Sequence, residues 1–197
     1  QPLNNPLNQE IYYKKISNIG INLTEDIRVN YFNPSQSWNP DIINDFSNDM
    51  HIIWQDDYDG NKEIYYIKLN QQGVNLTEPK RLTYNAYTSE NPSISSEKNG
   101  NIHITWNDFK NGSREIYYMK LNNLGVNITE DVQLTFGSTY SCCPSIAINN
   151  CNVVNIVWED HRHQANDNNW EIYYKRTIPT ISILLNRKSI QSCRVYR

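Results

Sequence analysis

At 197 residues with 38% hydrophobic content, the chain is long enough to bury a core as one domain or two small ones. Its net charge of -3, with acids and bases interspersed, offers no basic stripe to neutralise phosphates and no polybasic segment for an anionic bilayer. No apolar run approaches the roughly 20 residues that span a bilayer, so neither nucleic acid nor membrane is an expected partner.

Residues 1–9 read as an N-terminal extension that begins at Gln1, a start that fits a processed secreted protein and a fragment equally. The tetrapeptide Glu-Ile-Tyr-Tyr then appears at Glu10 to Tyr13 and returns at Glu63 to Tyr66, Glu115 to Tyr118 and Glu171 to Tyr174. A recurrence of this kind signals a repeat architecture, and its register can be checked against other residues. Trp54, Trp106 and Trp158 are spaced by 52 and 52, and each is preceded 14 residues earlier by a proline: Pro40, Pro92 and Pro144. Downstream, Gly20, Gly73 and Gly125 follow the last tyrosine by seven residues, and Val29, Leu82 and Leu134 follow it by sixteen.

Each unit therefore holds four short apolar segments rich in Ile, Val, Tyr and Trp, bounded by Asn, Gly, Asp or Pro, which is the pattern of strands joined by turns. Lys98-Asn99-Gly100-Asn101 predicts a tight hairpin, because Asn and Gly tolerate the positive φ such a connection requires. In Glu63 to Leu69 one face carries Ile64 and Tyr66 and the other Tyr65, Ile67 and Leu69. A strand apolar on both faces must be covered on both, as in a blade stacked between two others.

The expected fold is all-β and propeller-like, with about four blades of four-stranded antiparallel sheets, the first and last incomplete. Over residues 10–176 the period divides into a partial blade at 10–48, blades at 49–100 and 101–152 and a partial blade at 153–176. A divergent tail, 177–197, departs from the pattern, since Ile181 stands where the glycine should be. The two ends do not supply what each other lacks. Either the chain is a piece of a larger propeller, or copies associate through open blade edges.

Cys142, Cys143 and Cys151 lie close in sequence and Cys193 lies in the tail, with no paired C-x-x-C spacing. One or two structural disulfides or free thiols are the readings, and a zinc site is not expected. Asn22-Leu23-Thr24, Asn75-Leu76-Thr77 and Asn127-Ile128-Thr129 are glycosylation sequons in matching places, whose periodicity suggests turn chemistry first.

The residues Trp54-Gln55-Asp56, Gly60 and Glu63 to Tyr66, recurring as Trp106-Asn107-Asp108, Gly112 and Glu115 to Tyr118, resemble the blades of sialidase-like propeller proteins of bacteria and archaea. A weaker similarity, through Asp59 to Tyr65 and Arg81-Leu82-Thr83, links them to TolB-like repeats. The resemblance implies the fold and an extracellular or cell-surface location. It does not extend to activity, because the Ser-x-Asp-x-Gly-x-Thr-Trp box is missing and Arg28, Arg81, Arg114 and Arg162 form no recurring triad.

Asp56, Asp108 and Asp160 follow the tryptophan in every unit and read as turn-capping acceptors, or as a ring of carboxylates for cations or sugar hydroxyls. Asp56, Asp57 and Asp59 give one loop the oxygen density of a calcium site, and no other cofactor is expected. The connection from Trp158 to Glu171 spans thirteen residues where its counterparts span nine. An insertion that breaks a repeat is where function is grafted, so Asp160, His161, His163, Asp167 and Trp170 are the candidate ligand-binding residues. The sequence thus predicts a non-catalytic module that recognises a glycan or a cell-surface protein. The alternatives are a fragment of a sialidase-type glycoside hydrolase and a purely structural repeat.

Overall fold

The computed structural model describes residues 9–31, 34–110, 112–137, 140–161 and 170–177, and among them every regular element is a strand. No helix among these residues is long and apolar enough to cross a membrane. The architecture is the expected all-β, propeller-like one, built as four antiparallel sheets. The first pairs β1 (Tyr12–Tyr13) with β2 (Ile27–Arg28). The second runs β3 (Ser37–Asn44), β4 (Met50–Asp56), β5 (Glu63–Leu69) and β6 (Lys80–Arg81). The third repeats it as β7 (Ser89–Ser96), β8 (Ile102–Asp108), β9 (Glu115–Leu121) and β10 (Val132–Gln133). The fourth holds β11 (Ser141–Ile148), β12 (Val154–Asp160) and β13 (Glu171–Arg176).

The sheets begin one strand earlier than the boundaries at 49, 101 and 153. The proline strand pairs with the tryptophan strand that follows it, Asn44 opposite Met50 and Ser96 opposite Ile102. The cause is local: Asp45 accepts hydrogen bonds from the Ser47 and Asp49 amides at 2.8 and 3.0 Å and folds the connection into a hairpin. Asn48, Gly100 and Asn152 occupy one position of this turn with φ of 59°, 86° and 57°, the left-handed region that Asn and Gly tolerate. The hairpin predicted at Lys98 to Asn101 is one of these turns, closed by Glu97 N–H to Asn101 O at 2.8 Å.

The repeat follows from what each residue of the Glu-Ile-Tyr-Tyr strand touches. Tyr65 stacks on Trp54, its partner across the sheet, with ring centroids 5.9 Å apart; Tyr117 stacks on Trp106 at 6.0 Å and Tyr173 on Trp158 at 6.1 Å. The second tyrosine faces the next sheet, where a Cβ on Gly125 would overlap the Tyr66 ring and one on Gly73 would overlap Ile27 and press on Tyr13. The buried glutamate ties strands together: Glu63 accepts from Thr83 Oγ1 and pairs with Arg81 Nη2 at 2.7 Å. The core lies between sheets. Ile53, Ile64, Tyr66 and Leu82 of the second sheet pack on Ile94, Ile104, Trp106 and Met119 of the third, with equivalent clusters on either side. Burying each such side chain contributes roughly 1.5–3 kcal/mol.

The first strands of successive sheets, β3, β7 and β11, lie side by side on the inner side of this stack. β3 and β7 are joined by Ser93 Oγ to Asp41 Oδ2 at 3.1 Å and Asn39 Nδ2 to Asn91 Oδ1 at 2.7 Å, and β11 meets β7 where the Ile146 amide donates to Ser93 Oγ at 3.4 Å. Each carries a bulge at its start, where Asn39, Asn91 and Cys143 adopt φ of 49°, 53° and 52° just before the repeat proline.

Candidate functional site at the mouth of the inner strands

The carboxylates that follow the tryptophans are turned into the sheets. Asp108, almost fully buried, accepts from Trp106 Nε1 at 3.2 Å, from Ser89 Oγ at 2.9 Å and from the Lys110 amide at 2.9 Å. Asp56 and Asp160 repeat the tryptophan bond at 3.1 and 2.9 Å. The arrangement is a hydrogen-bond hub joining strands one and two of each blade, which is the turn-capping reading of these residues.

In the oxygen-rich loop the three acids face different partners. Asp56 serves its hub, Asp57 accepts from the Gln36 amide at 2.7 Å, and Asp59 takes the Tyr65 hydroxyl and pairs with Arg81 Nη1 at 3.0 Å. Their carboxylates do not converge on a common point. In the inserted loop, Asp160 points inward to Ser141 and Trp158, while His161 meets Trp170 edge-on. His163 and Asp167 lie outside the described residues.

His51 and His103 sit in repeated buried networks. His51 bonds the Tyr66 hydroxyl at 2.8 Å and Asp45 at 3.2 Å, and Lys68 Nζ reaches the same Asp45 oxygen at 2.9 Å. Burial lowers both histidines, against the upward pull of Asp45 and Glu97. Burial alone would raise Glu97, but hydrogen bonds from Lys120, Asn101 and His103 outweigh it and hold the carboxyl down to about 2. The sequon threonines close turns, with Thr77 Oγ1 accepting from the Lys68 amide at 2.9 Å and Thr129 Oγ1 from Lys120 at 3.0 Å.

Unsuspected from the sequence is a polar cluster at the mouth, where the inner strands begin. Glu90, on β7, is held between Lys62 of the preceding sheet at 2.7 Å and Arg114 of its own at 3.1 Å. Lys62 Nζ also lies 5.1 Å from the ring centre of Trp38, which occupies the Glu90 position one blade earlier. On the next blade that position is Cys142, whose Sγ is 3.9 Å from Glu159. Burial and then Cys143 push the Cys142 thiol up, with Arg114 opposing. Cys142 and Cys143 are free thiols and Cys151 is disulfide-bonded. The signal that could have revealed the cluster is departure from the repeat, since positions 38, 90 and 142 hold Trp, Glu and Cys where the neighbouring serine and proline recur.

Away from the mouth, a cleft of about 350 Å³ lies along Leu82, Thr83, Tyr84, Lys110 and Asp131. Another, of about 340 Å³, lies along Leu134, Thr135, Phe136 and Trp158. Leu82 to Tyr84 and Leu134 to Phe136 are equivalent positions, so these clefts belong to the repeat.

No protein-family model matches the chain, and no curated protein matches it. Among solved structures it is similar to an endo-arabinase from Bacteroides thetaiotaomicron, with a TM-score of 0.52 and 13% identity over 82% of this chain and 63% of that one. It is also similar to a thermostable family-43 glycoside hydrolase, with a TM-score of 0.50 and 12% identity over 84% of this chain and 66% of that one. The chain thus spans slightly less than two thirds of the length of both. These likenesses support a propeller-like fold without singling out the sialidase or TolB type. They also correct the expectation of a non-catalytic recognition module, because the similar structures are glycoside hydrolases. The missing sialidase box and arginine triad bear on sialidase chemistry alone.

Proposed function

We propose that this chain forms part of a propeller-type glycoside hydrolase and that a sugar chain binds at the mouth around Glu90. The observation that carries the reading is Glu90 itself: a carboxylate at the start of an inner strand, nine-tenths buried, fixed from two blades by Lys62 and Arg114. Hydrolysis of a glycosidic bond uses a pair of carboxyl groups flanking it. Asp41, half-buried on the adjacent inner strand β3, is the second carboxylate of this reading. Trp38 offers an aromatic face of the kind on which sugar rings stack. The names of the similar structures suggest arabinan and related plant polysaccharides as substrates, and the disulfide at Cys151 supports an extracellular or cell-surface location.

The test is release of reducing ends from arabinan and xylan by the full-length protein. The expected result is measurable turnover that Glu90→Gln lowers by about two orders of magnitude or more, with the melting temperature largely retained. Unchanged turnover in that variant, or none in the parent on either polymer, would overturn the proposal.

A further inference from the structure

Three departures from the repeat fall on one point of the mouth. In the first two complete blades the bulge residue and the residue after the tryptophan are amides bonded to one another, Asn39 Nδ2 to Gln55 Oε1 at 3.2 Å and Asn91 Nδ2 to Asn107 Oδ1 at 2.9 Å. In the third blade these two positions are Cys143 and Glu159, and the residue before the bulge is Cys142. A neutral amide pair has been exchanged for a thiol and a carboxylate, and a second thiol stands beside them where the earlier blades carry Trp38 and Glu90.

The bulge gives the exchange its geometry. In a regular strand successive side chains point to opposite faces, so adjacent cysteines could not act together. Here the register slips between Cys142 and Ser145 and Cys143 takes a φ of 52°, so the usual alternation is broken. The two Sγ atoms and a Glu159 carboxylate oxygen all lie within 4.8 Å of one another, and no other such grouping of three occurs among the described residues. Cys142 is buried, Cys143 exposed and Glu159 between, so the group has a dry floor and an open side. Asn91 Nδ2 stands 3.9 Å from Cys143 Sγ and can support the ligand from behind.

From this geometry we infer that Cys142, Cys143 and Glu159 bind a thiophilic divalent cation of the zinc class, with a fourth position open to solvent. Tetrahedral zinc takes thiolate and carboxylate ligands at about 2.3 and 2.0–2.2 Å, which places ligand atoms roughly 3.5–4 Å apart. The observed group needs only small side-chain rotations to reach that spacing. Binding releases the two thiol protons. The resulting centre of two thiolates, one carboxylate and the dication carries one net negative charge, and Arg114, which pairs with Glu90, also acts on Cys142 with its positive charge. The inference stands apart from sugar hydrolysis and does not depend on it.

The test is zinc titration of the protein, with Cys142 and Cys143 as free thiols and the Cys151 disulfide intact, against a chromogenic chelator, with Co²⁺ as a spectroscopic probe. The parent is expected to bind one equivalent, to show a thiolate-to-cobalt charge-transfer band, and to bind more tightly as pH rises because protons leave. Cys143→Asn and Glu159→Gln put into the third blade the side chains the first already carries, so folding is expected to be retained. Each is expected to weaken binding by about a hundredfold or more. Absence of stoichiometric binding in the parent, affinity in either variant equal to the parent's, or a cobalt complex lacking the thiolate band would each overturn the inference.

Discussion

At the scale of single residues, the protein spends charged and polar side chains on its own architecture. Glu97 shows this most plainly: nearly buried, it receives Lys120 Nζ at 2.7 Å, His103 at 2.9 Å and Asn101 Nδ2 at 2.9 Å, while Asp45 occupies the equivalent place one blade earlier. The folded value near 2 lies below the ordinary value of 4.5, so on acidification the unfolded chain takes up the proton first. The contribution is therefore complete above about pH 4.5 and is lost as pH falls toward about 2, a span worth roughly 3 kcal/mol at most. Urea denaturation of the parent and of Glu97→Gln between about pH 5 and pH 2 should show a stability gap that closes as the pH drops. A constant gap would mean that the carboxylate charge is not what these partners hold. His51 and His103 act in the same direction at higher pH, because their lowered values let the unfolded chain protonate first through the ordinary histidine range. None of this was visible in the motif. His51 and His103 share a repeat position, but their partners, six and fifteen residues away, are set by the hairpin and the sheet.

At the scale of elements, the repeat was legible because packing between blades demands the same residue at the same place. The glycine that follows each second tyrosine shows the demand. Gly20, Gly73 and Gly125 share a turn with φ of 81°, 80° and 74°, but only the later two are approached by a tyrosine of the preceding sheet, and nothing lies within 4 Å of a Cβ placed on Gly20. Gly20→Ala should therefore cost only the backbone term, about 1 kcal/mol, while Gly125→Ala must also displace the Tyr66 ring and should cost about 1–3 kcal/mol more. Thermal denaturation of the two variants separates them, and equal losses would show that the glycine serves its turn alone. What periodicity could not reveal is where a unit starts. A strict period is the same from any origin, and the choice between 37 and 49 as the first residue of a blade is made by the Asp45 turn. Nor could it reveal the mouth. Lys62, Glu90, Arg114 and Cys142 occupy different repeat positions, or the same position in different blades, and meet only because the sheets stack. The inserted loop stood out by its length, whereas the mouth differs from the scaffold by substitution alone.

At the scale of the whole molecule, burial of the Glu-Ile-Tyr-Tyr strand changes along the chain. Every residue of β5 is buried, whereas on β13 Ile172 is 72% and Tyr174 57% exposed. The sequences of the two strands are nearly the same, so the difference lies in their neighbours: β5 lies between two sheets, and among the described residues no sheet follows β13. Tyr66 fills the space against Gly125, at 1% exposure, and also bonds His51. Truncating it removes a packed aromatic ring and leaves a buried histidine short of a partner, which should cost about 3–5 kcal/mol. Tyr174 bonds Asn155 at 2.7 Å on an open face, and Tyr174→Ala in this chain should cost less than about 1 kcal/mol. The contrast tests whether the fourth sheet is finished by more of the same architecture. If a longer form of the protein continues the repeat, the next sheet must present its glycine turn to Tyr174 as the third sheet presents Gly125 to Tyr66. Tyr174→Ala should then destabilise that longer form nearly as much as Tyr66→Ala does, while remaining mild in the 197-residue chain. Equal, small losses in both lengths would show that β13 keeps an open face in either form, and that inter-blade packing of the second tyrosine ends with the third sheet.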